Sequence, residues 1–322
     1  MPAIGFICPD FLTISFEECL TECRLKSELA CGRCKALPYL RKAASQREWK
    51  GEPSTTQLLN GARESYLKIK TDYYINPDDR AFAILGTDSH SVLELFGEGD
   101  PHRSEERLRD DICSGQFDFY DGNEQILYDY KTFGSYKVAL MLGITSKEEI
   151  ETDDQGNVVY KKTGKNKGEP KTRKVTVHGD TATRATSILD VSIQMSNYRD
   201  KLKMILPEGF TVKKMVVQAI CRDQSTLISQ QRGITENAPL VPVNGVSIHW
   251  VRKYLGRKRD LLINALNNNE LPNLCRRRET WDGRKCQKYC EVRDNCLSLM
   301  TSDELLKFHG ASQNTEEIDK AA

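Results

Sequence analysis

The stretch that most constrains the fold is residues 115–132, GQFDFYDGNEQILYDYKT. Apolar and polar side chains alternate on both sides of a central Asp-Gly dipeptide, which is typical of a tight turn between antiparallel strands. Because side chains on a strand repeat every two residues, Asp129 and Lys131 must lie on one face. If the hairpin loop has an even number of residues, Asp118 lies on that face too. The sequence therefore predicts two carboxylates and one ammonium group together at a sheet edge.

These three side chains favour metal-dependent phosphate chemistry. Two carboxylates held close together repel each other unless a cation lies between them. Ligand sets made only of oxygen atoms suit Mg2+ or Mn2+. A lysine two residues along the strand could hold an attacking water or stabilise charge on a phosphate. The alternative is a solvated hairpin with ordinary surface charges, and the hairpin by itself does not decide between the two.

Composition sets bounds on the partners. The chain has 322 residues and a net charge of +1, so a nucleic acid would have to be bound by a local basic patch. Charged residues make up 29% and hydrophobic residues 39%, which is typical of a globular protein. We expect neither a signal peptide nor a membrane span, and therefore a cytoplasmic protein of bacterial, archaeal or phage origin.

The cysteines are clustered, and in a chain without an export signal this favours metal binding over disulfides. The first cluster lies in a cysteine-rich N-terminal segment, residues 1–50. Its spacing, C-x3-C-x7-C-x2-C, suits a small zinc site, and a helix with buried thiols is the alternative. The candidate ligands are Cys19, Cys23, Cys31 and Cys34.

The second cysteine cluster lies in residues 271–300 and has the spacing C-x10-C-x3-C-x5-C. Polar and basic residues surround these thiols, whereas structural thiols favour apolar surroundings. The pattern predicts an iron–sulfur cluster or a structural zinc ion, and the spacing does not separate the two. The candidate ligands are Cys275, Cys286, Cys290 and Cys296.

Helical periodicity places further candidates. A helix after the turn at residues 76–79 carries His90, although a lone histidine is more often a packed or surface residue than a ligand. Gly86 in that helix indicates a close approach or a break. Gln194 and Tyr198 lie four residues apart on an amphipathic helix and therefore share a face. We predict helices over residues 37–50, 181–206 and 245–269, a helix capped by Ser54 or Thr55, and a central strand over residues 213–223.

Residues 150–180 lack apolar content and are rich in Lys and Gly. They predict either a mobile hairpin inserted into the fold or a disordered loop. Its lysines, with Lys161 and Lys162 among them, could follow a phosphate backbone, and a solvated loop is the alternative. Residues 301–322 are expected to form a disordered tail.

Five motifs occur in an order that resembles the PD-(D/E)XK nuclease superfamily, in its RecB-like branch. They are GTDSH, GQFDFYDG, ILYDYKT, QMSNY and KCQKYCEVRDNC. That branch includes the CRISPR-associated RecB-like exonucleases and the nuclease domains of AddAB-type helicase–nucleases. The resemblance covers roughly residues 54–297. It implies an α/β fold, with a restriction-endonuclease-like mixed central sheet flanked by helices over residues 51–270 and a C-terminal cysteine-ligated cluster.

The resemblance implies a metal-dependent deoxyribonuclease, an exonuclease acting on single strands or DNA ends in repair, recombination or CRISPR-type processing. The implied ligands of Mg2+ or Mn2+ are His90, Asp118, Asp129 and the backbone carbonyl of Tyr130. The implied catalytic set is Asp118, Asp129, Lys131, Gln194 and Tyr198. Candidate phosphate contacts, each with a solvated surface charge as its alternative, are Arg63, Lys161, Lys162 and Arg276. The alternative function is a DNA-binding assembly subunit, with protein partners and little nuclease activity alone.

One departure from the family concerns the fourth cysteine. Many iron–sulfur relatives take it from just before a P-R-x-x-Y-L-like run, and the corresponding stretch here, residues 60–67 (NGARESYL), contains no cysteine. Cys275 could complete a [4Fe-4S] site, or one of Cys23, Cys31 and Cys34 could reach across to it. We favour Cys275, with zinc as the alternative occupant of the site.

Overall fold

The computed structural model describes residues 3–10, 12–23, 34–97, 99–305 and 308. The strands are β1 (Gly5–Ile7), β2 (Thr13–Ser15), β3 (Tyr74–Ile75), β4 (Arg103–Ser104), β5 (Arg107–Arg109), β6 (Ser114–Gln116), β7 (Phe119–Asp121), β8 (Ile126–Phe133), β9 (Thr145–Ile150), β10 (Thr172–Val177), β11 (Lys214–Cys221) and β12 (Leu240–Val243). The α-helices are α1 (Phe16–Thr21), α2 (Leu37–Ala44), α3 (Thr55–Leu59), α4 (Ala62–Lys70), α5 (Ala81–Glu94), α6 (Ser135–Leu142), α7 (Thr181–Leu202), α8 (Leu227–Gln231), α9 (Ile248–Asn268), α10 (Arg284–Lys288) and α11 (Arg293–Ser298). A short 3-10 helix spans Pro77–Arg80.

The largest sheet has five strands in the order β12-β11-β8-β7-β4. β8 and β11 run parallel, and the other neighbouring strands pair antiparallel. Helices α6 and α7 pack against β11, β12 and β8, and α5 packs against β8. The expectation of a mixed α/β fold, with sheets flanked by helices, is therefore confirmed.

The core of this sheet follows from strand periodicity. On β11, Met215, Val217 and Ala219 share a face and are buried with Leu127 of β8. Apolar side chains of α6 and α7 cover that face, and Met195 is fully buried among them. The amphipathic pattern predicted over residues 181–206 corresponds to α7. The helix itself ends at Leu202, and residues 203–206 continue as turns before the proline that follows.

The predicted hairpin is present, and its loop has the even length that the prediction required. Tyr120 pairs with Leu127 and Asp121 with Ile126, so residues 122–125 form the loop. The first predicted strand, however, is split into β6 and β7, because β6 pairs with β5 in a separate two-stranded sheet. The split allows the chain between the two strands to turn away from β8.

The N-terminal segment packs with the C-terminal part of the chain. Phe6, Leu40 and Ile75 are buried in one apolar cluster with Leu262 and Val292. β1 pairs with β2 and, in parallel, with β3. The helix predicted over residues 37–50 is shorter and ends at Ala44.

The helix predicted to start near Ser54 forms, but as two helices. Ser54 caps α3 with a reciprocal capping box to Gln57, as its sequence indicates. The chain then extends through Asn60 and Gly61 before α4 begins. The helix predicted over residues 245–269 is α9, with bounds close to those expected.

Residues 150–180 form a hairpin rather than a loop without structure. β9 and β10 pair antiparallel over their full lengths, from Thr145 opposite Val177 to Ile150 opposite Thr172. Isolated bridges continue the pairing toward the tip, and one of them joins Tyr160 and Pro170. No helix in the described part of the chain is long and apolar enough to cross a membrane.

Candidate active site

The site lies where β7 diverges from β8. The strand pairing places Phe119 opposite Tyr128, so Asp118 and Asp129 are the next residues on each side of the gap. Instead of continuing the backbone ladder, Asp118 turns its carboxylate inward, and its Oδ2 accepts a hydrogen bond from the Tyr130 N–H at 2.5 Å. The carboxylate thus replaces a backbone partner, which explains why the ladder between β7 and β8 stops here and β7 begins only at Phe119.

His90 approaches this gap from α5. Its Nδ1 lies 3.4 Å from Asp118 Oδ1, and its Nε2 lies 3.0 Å from the carbonyl oxygen of Tyr130. Gly86 lies one helical turn earlier, and a Cβ there would lie 3.3 Å from Thr132 Oγ1. Of the two readings of Gly86, the close approach is therefore correct, and it lets α5 bring His90 to the strand.

Glu105 is a residue of the site that the sequence did not reveal. Its Oε1 lies 3.3 Å from His90 Nδ1, and its Oε2 accepts a hydrogen bond from Gln116 at 2.7 Å. The backbone is left-handed here (φ 50°), and its N–H donates to the Asp118 carbonyl at 2.9 Å. Glu105 lies among several charged residues in RSEERLR, and nothing in that local pattern singles it out.

The ligand atoms of His90, Glu105 and Asp118 all lie within 4.8 Å of one another. Hydrogen bonds to Asp118 and Glu105 raise the pKa of His90 to about 10. The site is therefore held together by a protonated imidazole between two carboxylates. A divalent cation in the same place would meet two carboxylate groups and one imidazole, which are ligands that Mn2+ and Mg2+ accept.

Asp129 supports the same interpretation. It is 1% exposed, and neither of its carboxylate oxygens accepts a hydrogen bond from the described residues. Its Oδ2 is 2.7 Å from Lys131 Nζ, an ion pair without hydrogen-bond alignment. Burial raises the pKa of Asp129 to about 6, repulsion from Asp118 adds to this, and Lys131 opposes it. A buried carboxylate whose oxygens accept no hydrogen bonds is unfavourable. A bound cation would offset this cost.

Lys131 lies on the same face as Asp129, as strand periodicity predicted. Burial lowers its pKa, but the carboxylates of Asp129 and Asp118 outweigh burial, so the net shift is upward. Its Nζ also donates to the Tyr130 carbonyl at 3.3 Å. The side chain is thus a firmly protonated ammonium beside both carboxylates.

Gln194 and Tyr198 share a face of α7, and Gln194 Nε2 donates to the Tyr198 hydroxyl at 3.0 Å. Tyr198 is buried, and its ring packs against Gly115, where a Cβ would collide with the ring. Burial raises the pKa of Tyr198, with smaller contributions from the charges of Asp129 and Asp118. Tyr198 thus packs against β6, the strand just before Asp118.

The candidate phosphate contacts separate into two groups. Lys162 and Arg276 are exposed, while Lys161 is partly covered and lies 3.4 Å from Glu169. Arg63, in contrast, is 2% exposed and packs against the C-terminal region, where it pairs with Glu304. The prediction that Arg63 contacts a phosphate is therefore wrong, because its guanidinium does not face solvent.

The four C-terminal cysteines are free thiols, and no three of their sulfurs lie within 4.8 Å of one another. Burial raises the pKa of each thiol, to about 11 for Cys275 and about 12 for Cys290. The charge of Cys286 contributes to the raised pKa of Cys275 and of Cys290, and that of Cys296 contributes to the raised pKa of Cys286.

Cys275 occupies a space that a glycine leaves open. A Cβ on Gly61, just before α4, would collide with Cys275 Sγ. The thiol of Cys275 therefore lies directly against the backbone that precedes α4.

The N-terminal cysteines are only partly described. Cys19 and Cys23 are buried, and Cys34 is partly exposed, with its charge interacting with those of Cys23 and Cys8. Cys31 lies outside the described residues. The predicted zinc site at Cys19, Cys23, Cys31 and Cys34 thus stays a prediction.

Comparison with known proteins adds little. No family model and no curated protein matches the chain. A solved structure titled "Crystal structure of SSO0001" is similar over 82% of this chain and 95% of that chain, with 14% sequence identity and a TM-score of 0.40. Likeness at this level carries no argument about function.

Proposed function

We propose that this protein is a metal-dependent deoxyribonuclease of the PD-(D/E)XK type, in the RecB-like branch. The observation that carries the proposal is Asp129, a buried carboxylate without a hydrogen-bond partner among the described residues, opposite Asp118 and paired with Lys131. His90 and Glu105 complete a group of donors beside it. Each of the motifs that suggested the family supplies a residue at or beside one gap in the sheet, apart from the cysteine motif.

A divalent cation at this site would supply Lewis-acid activation of water and shield the charge of the scissile phosphate. Asp118 and His90 would hold it with Asp129 and the Tyr130 carbonyl, and Glu105 offers one further oxygen. Lys131 would then orient the water and stabilise the negative charge that develops on the phosphate. Tyr198 and Gln194 fix the far side of the site through Gly115.

The partner in this proposal is DNA, as single strands or duplex ends. The exposed basic side chains of Lys162 and Arg276 offer phosphate contacts away from the carboxylates. Such contacts would add affinity and salt dependence without selecting a sequence. The restriction-endonuclease-like architecture belongs to this proposal, because the mixed sheet by itself is shared by many folds.

The test is DNA cleavage by the full chain, purified without oxygen. Linear and circular DNA, single-stranded and duplex, are incubated with Mg2+ or Mn2+. We expect cleavage that falls by about 100-fold or more in Asp129→Asn and in Lys131→Met, since each removes charge stabilisation at the reacting phosphate. Glu124→Gln, in the loop of the same hairpin, is the matched control and should cleave like the wild type.

Two outcomes would overturn the nuclease proposal. One is that no DNA form is cut in either metal by protein whose cysteine site is loaded. The other is that Asp129→Asn cuts as fast as the wild type. Salt-sensitive DNA binding without any cleavage would instead support the assembly-subunit alternative.

The four C-terminal cysteines form, in the same proposal, a metal-binding site, with a [4Fe-4S] cluster as the favoured occupant and zinc as the alternative. The donor set suits either, since four thiolates bind both. The open space at Gly61, filled by the thiol of Cys275, supports Cys275 as the fourth ligand. Such a site would tie residues 271–300 to the start of α4 and stabilise the fold.

This part of the proposal has its own test. Iron, sulfide and zinc are measured in the purified protein, and the visible spectrum distinguishes a cluster from zinc. Cys275→Ala should lose most of the metal, and Gly61→Ala should also lose it, because the added methyl displaces the Cys275 thiol. Gly256→Ala, at a helical glycine with open space, is the control. Full metal content in Cys275→Ala would contradict the assignment.

A further inference from the structure

Arg63 is a buried arginine that plays no part in the candidate active site. It lies on α4 and is 2% exposed. Nη1 donates to the carbonyl of Pro272 at 3.3 Å and pairs with Glu304 at 3.2 Å. Nε and Nη2 have no hydrogen-bond partner among the described residues. Buried guanidinium donors without acceptors are unfavourable, so this half of the group requires an explanation.

Arg63 lies close to the cysteine set, because α4 packs against α11, the helix that carries Cys296. Burial raises the pKa of the Cys296 thiol, and the positive charge of Arg63 is the largest influence that opposes it. Glu304, which holds Nη1, lies on a short segment after the last cysteine and is 27% exposed. Arg63 is thus anchored through Nη1, and its positive charge acts on the thiol of Cys296.

Several other charges near the cysteines are paired. Glu64 is buried between Lys285 and Lys68. Lys258 pairs with Glu279, whose other oxygen accepts the backbone N–H of Arg276. Lys285 and Arg293 also act on the thiol of Cys286 and Lys68 on that of Cys290, whereas the cation that acts on Cys296 is Arg63.

Ligand chemistry sets how much compensation is needed. Four thiolates around a divalent zinc ion, or around a cluster core of charge 2+, carry a net charge of about −2. Such a charge in a half-buried site is costly unless cations or N–H donors lie against the sulfurs. The charge that needs compensation is therefore the same for zinc and for an iron–sulfur cluster.

We infer that Arg63 is a charge-compensating donor to the sulfur of Cys296 in the loaded cysteine site. This rests on the cysteine site of the proposed function and not on the nuclease centre. Arg63 ligates no metal and touches no substrate. Its Nε and Nη2 hydrogens would be satisfied by the thiolate, and its charge would stabilise the anionic form of the site. The same residue, through Glu304, would hold the chain that follows the last cysteine against α4.

The consequence concerns retention of the metal. Partners of metal ligands typically change metal affinity by 10–100-fold when they are removed. For an iron–sulfur cluster, hydrogen bonds to sulfur also shift the reduction potential. Loss of Arg63 should therefore weaken the site even though all four cysteines remain.

The experiment compares metal release from four variants of the full chain, purified without oxygen. Arg63→Met removes charge and donors, and Arg63→Lys keeps the charge without the planar fork. Glu304→Gln removes the anchor of Arg63 without touching the cysteines. Arg277→Gln, at a side chain that is 83% exposed, is the surface control. The readouts are metal content, rate of metal transfer to a chelator, and circular dichroism of the backbone.

We expect Arg63→Met to release metal about 10-fold or more faster than the wild type, with Arg63→Lys intermediate. The rates of metal release from Glu304→Gln and Arg277→Gln should stay within about twofold of the wild-type rate if the donors to sulfur matter more than the ion pair between Arg63 and Glu304. For an iron–sulfur protein, the midpoint potential of Arg63→Lys should also differ from that of the wild type.

Three results would overturn the inference. Arg63→Met could release metal at the wild-type rate, or Glu304→Gln could reproduce its whole effect, which would show that Arg63 only anchors the chain. The wild-type protein could also hold neither iron nor zinc. If Arg63→Met does not fold, Arg63→Lys decides in its place, and release at the wild-type rate overturns the inference. DNA cleavage in the same preparation tests the nuclease centre separately, so the two failures are distinguishable.

Discussion

Replacing Asp129 with asparagine should make the metal-free protein more stable while it abolishes DNA cleavage. Asp129 is buried and ionises against Asp118, and its oxygens accept no hydrogen bond from the described residues. Asparagine has nearly the same shape but no charge. The variant therefore removes the repulsion between Asp129 and Asp118, together with one ligand of the proposed metal site.

The magnitude follows from the pKa. Burial and repulsion raise the pKa of Asp129 from 3.8 to about 6, and each tenfold change in proton affinity corresponds to about 1.4 kcal/mol. The ionised side chain thus lowers the free energy of unfolding by on the order of 3 kcal/mol. Because the folded-state pKa is raised for an acid, this cost is absent below pH 3.8. It develops as the pH rises to about 6 and is constant above that.

Thermal unfolding in a chelator of divalent cations measures the difference. One kcal/mol shifts the melting temperature of a domain of 150–250 residues by about 2–4 °C, so we expect Asp129→Asn to melt several degrees higher at pH 7.5. Its advantage over the wild type should shrink as the pH falls from about 6 toward 4. Glu124→Gln, which removes a carboxylate from the exposed loop, should melt like the wild type at each pH.

Addition of Mn2+ completes the experiment. Binding to the folded state alone raises the melting temperature of the wild type, and the Asp129→Asn variant should gain much less. The reasoning is refuted if Asp129→Asn melts below the wild type at pH 7.5 in chelator. It is equally refuted if Mn2+ stabilises both proteins to the same extent, since Asp129 would then be neither strained nor a ligand.

Three further predictions concern other parts of the site and its support. Because the pKa of His90 is about 10, Mn2+ binding near pH 7.5 should release about one proton. Calorimetry in buffers of different ionisation enthalpy should show that the His90→Gln variant no longer releases this proton. Unchanged proton release would contradict a ligand role for His90. Gly115→Ala places a methyl group against the ring of Tyr198. It should lower the free energy of unfolding by about 1–3 kcal/mol and should also lower the rate of DNA cleavage. Cleavage at the wild-type rate would show that the ring does not support the site. Asp110→Asn removes the carboxylate that lies 2.9 Å from Nζ of Lys201, which is 1% exposed. Urea unfolding should show that the free energy of unfolding falls by about 3–5 kcal/mol. A fall of less than about 1 kcal/mol would mean that the ion pair is dispensable.

Local periodicity was enough to find one half of the site. The turn signal and the two-residue repeat of a strand put Asp118, Asp129 and Lys131 on one face, and the structure has that register. The four-residue spacing of α7 likewise put Gln194 beside Tyr198. These relations depend only on backbone geometry within one element or one hairpin, which the sequence specifies directly.

The other half depended on contacts between distant elements. Glu105 became part of the site only because its backbone turns left-handed and its N–H meets the Asp118 carbonyl. The split of the first predicted strand has a similar origin, because the Asp118 carboxylate takes the Tyr130 N–H in place of a backbone group. Side-chain competition for a backbone donor is not visible in a hydrophobic pattern.

The sequence by itself determined which candidate side chains share a face, since short-range spacing fixes what a hairpin or a helix can present. Only the tertiary structure decided where each charge faces. Arg63 has a side chain typical of phosphate contacts. The packing of α4 against the C-terminal region nevertheless buries it near Cys296. The thiol of Cys275 fills the space that Gly61 leaves, more than 200 residues away in the chain. Burial and neighbours across such separations follow from packing of the whole chain, which no local repeat encodes.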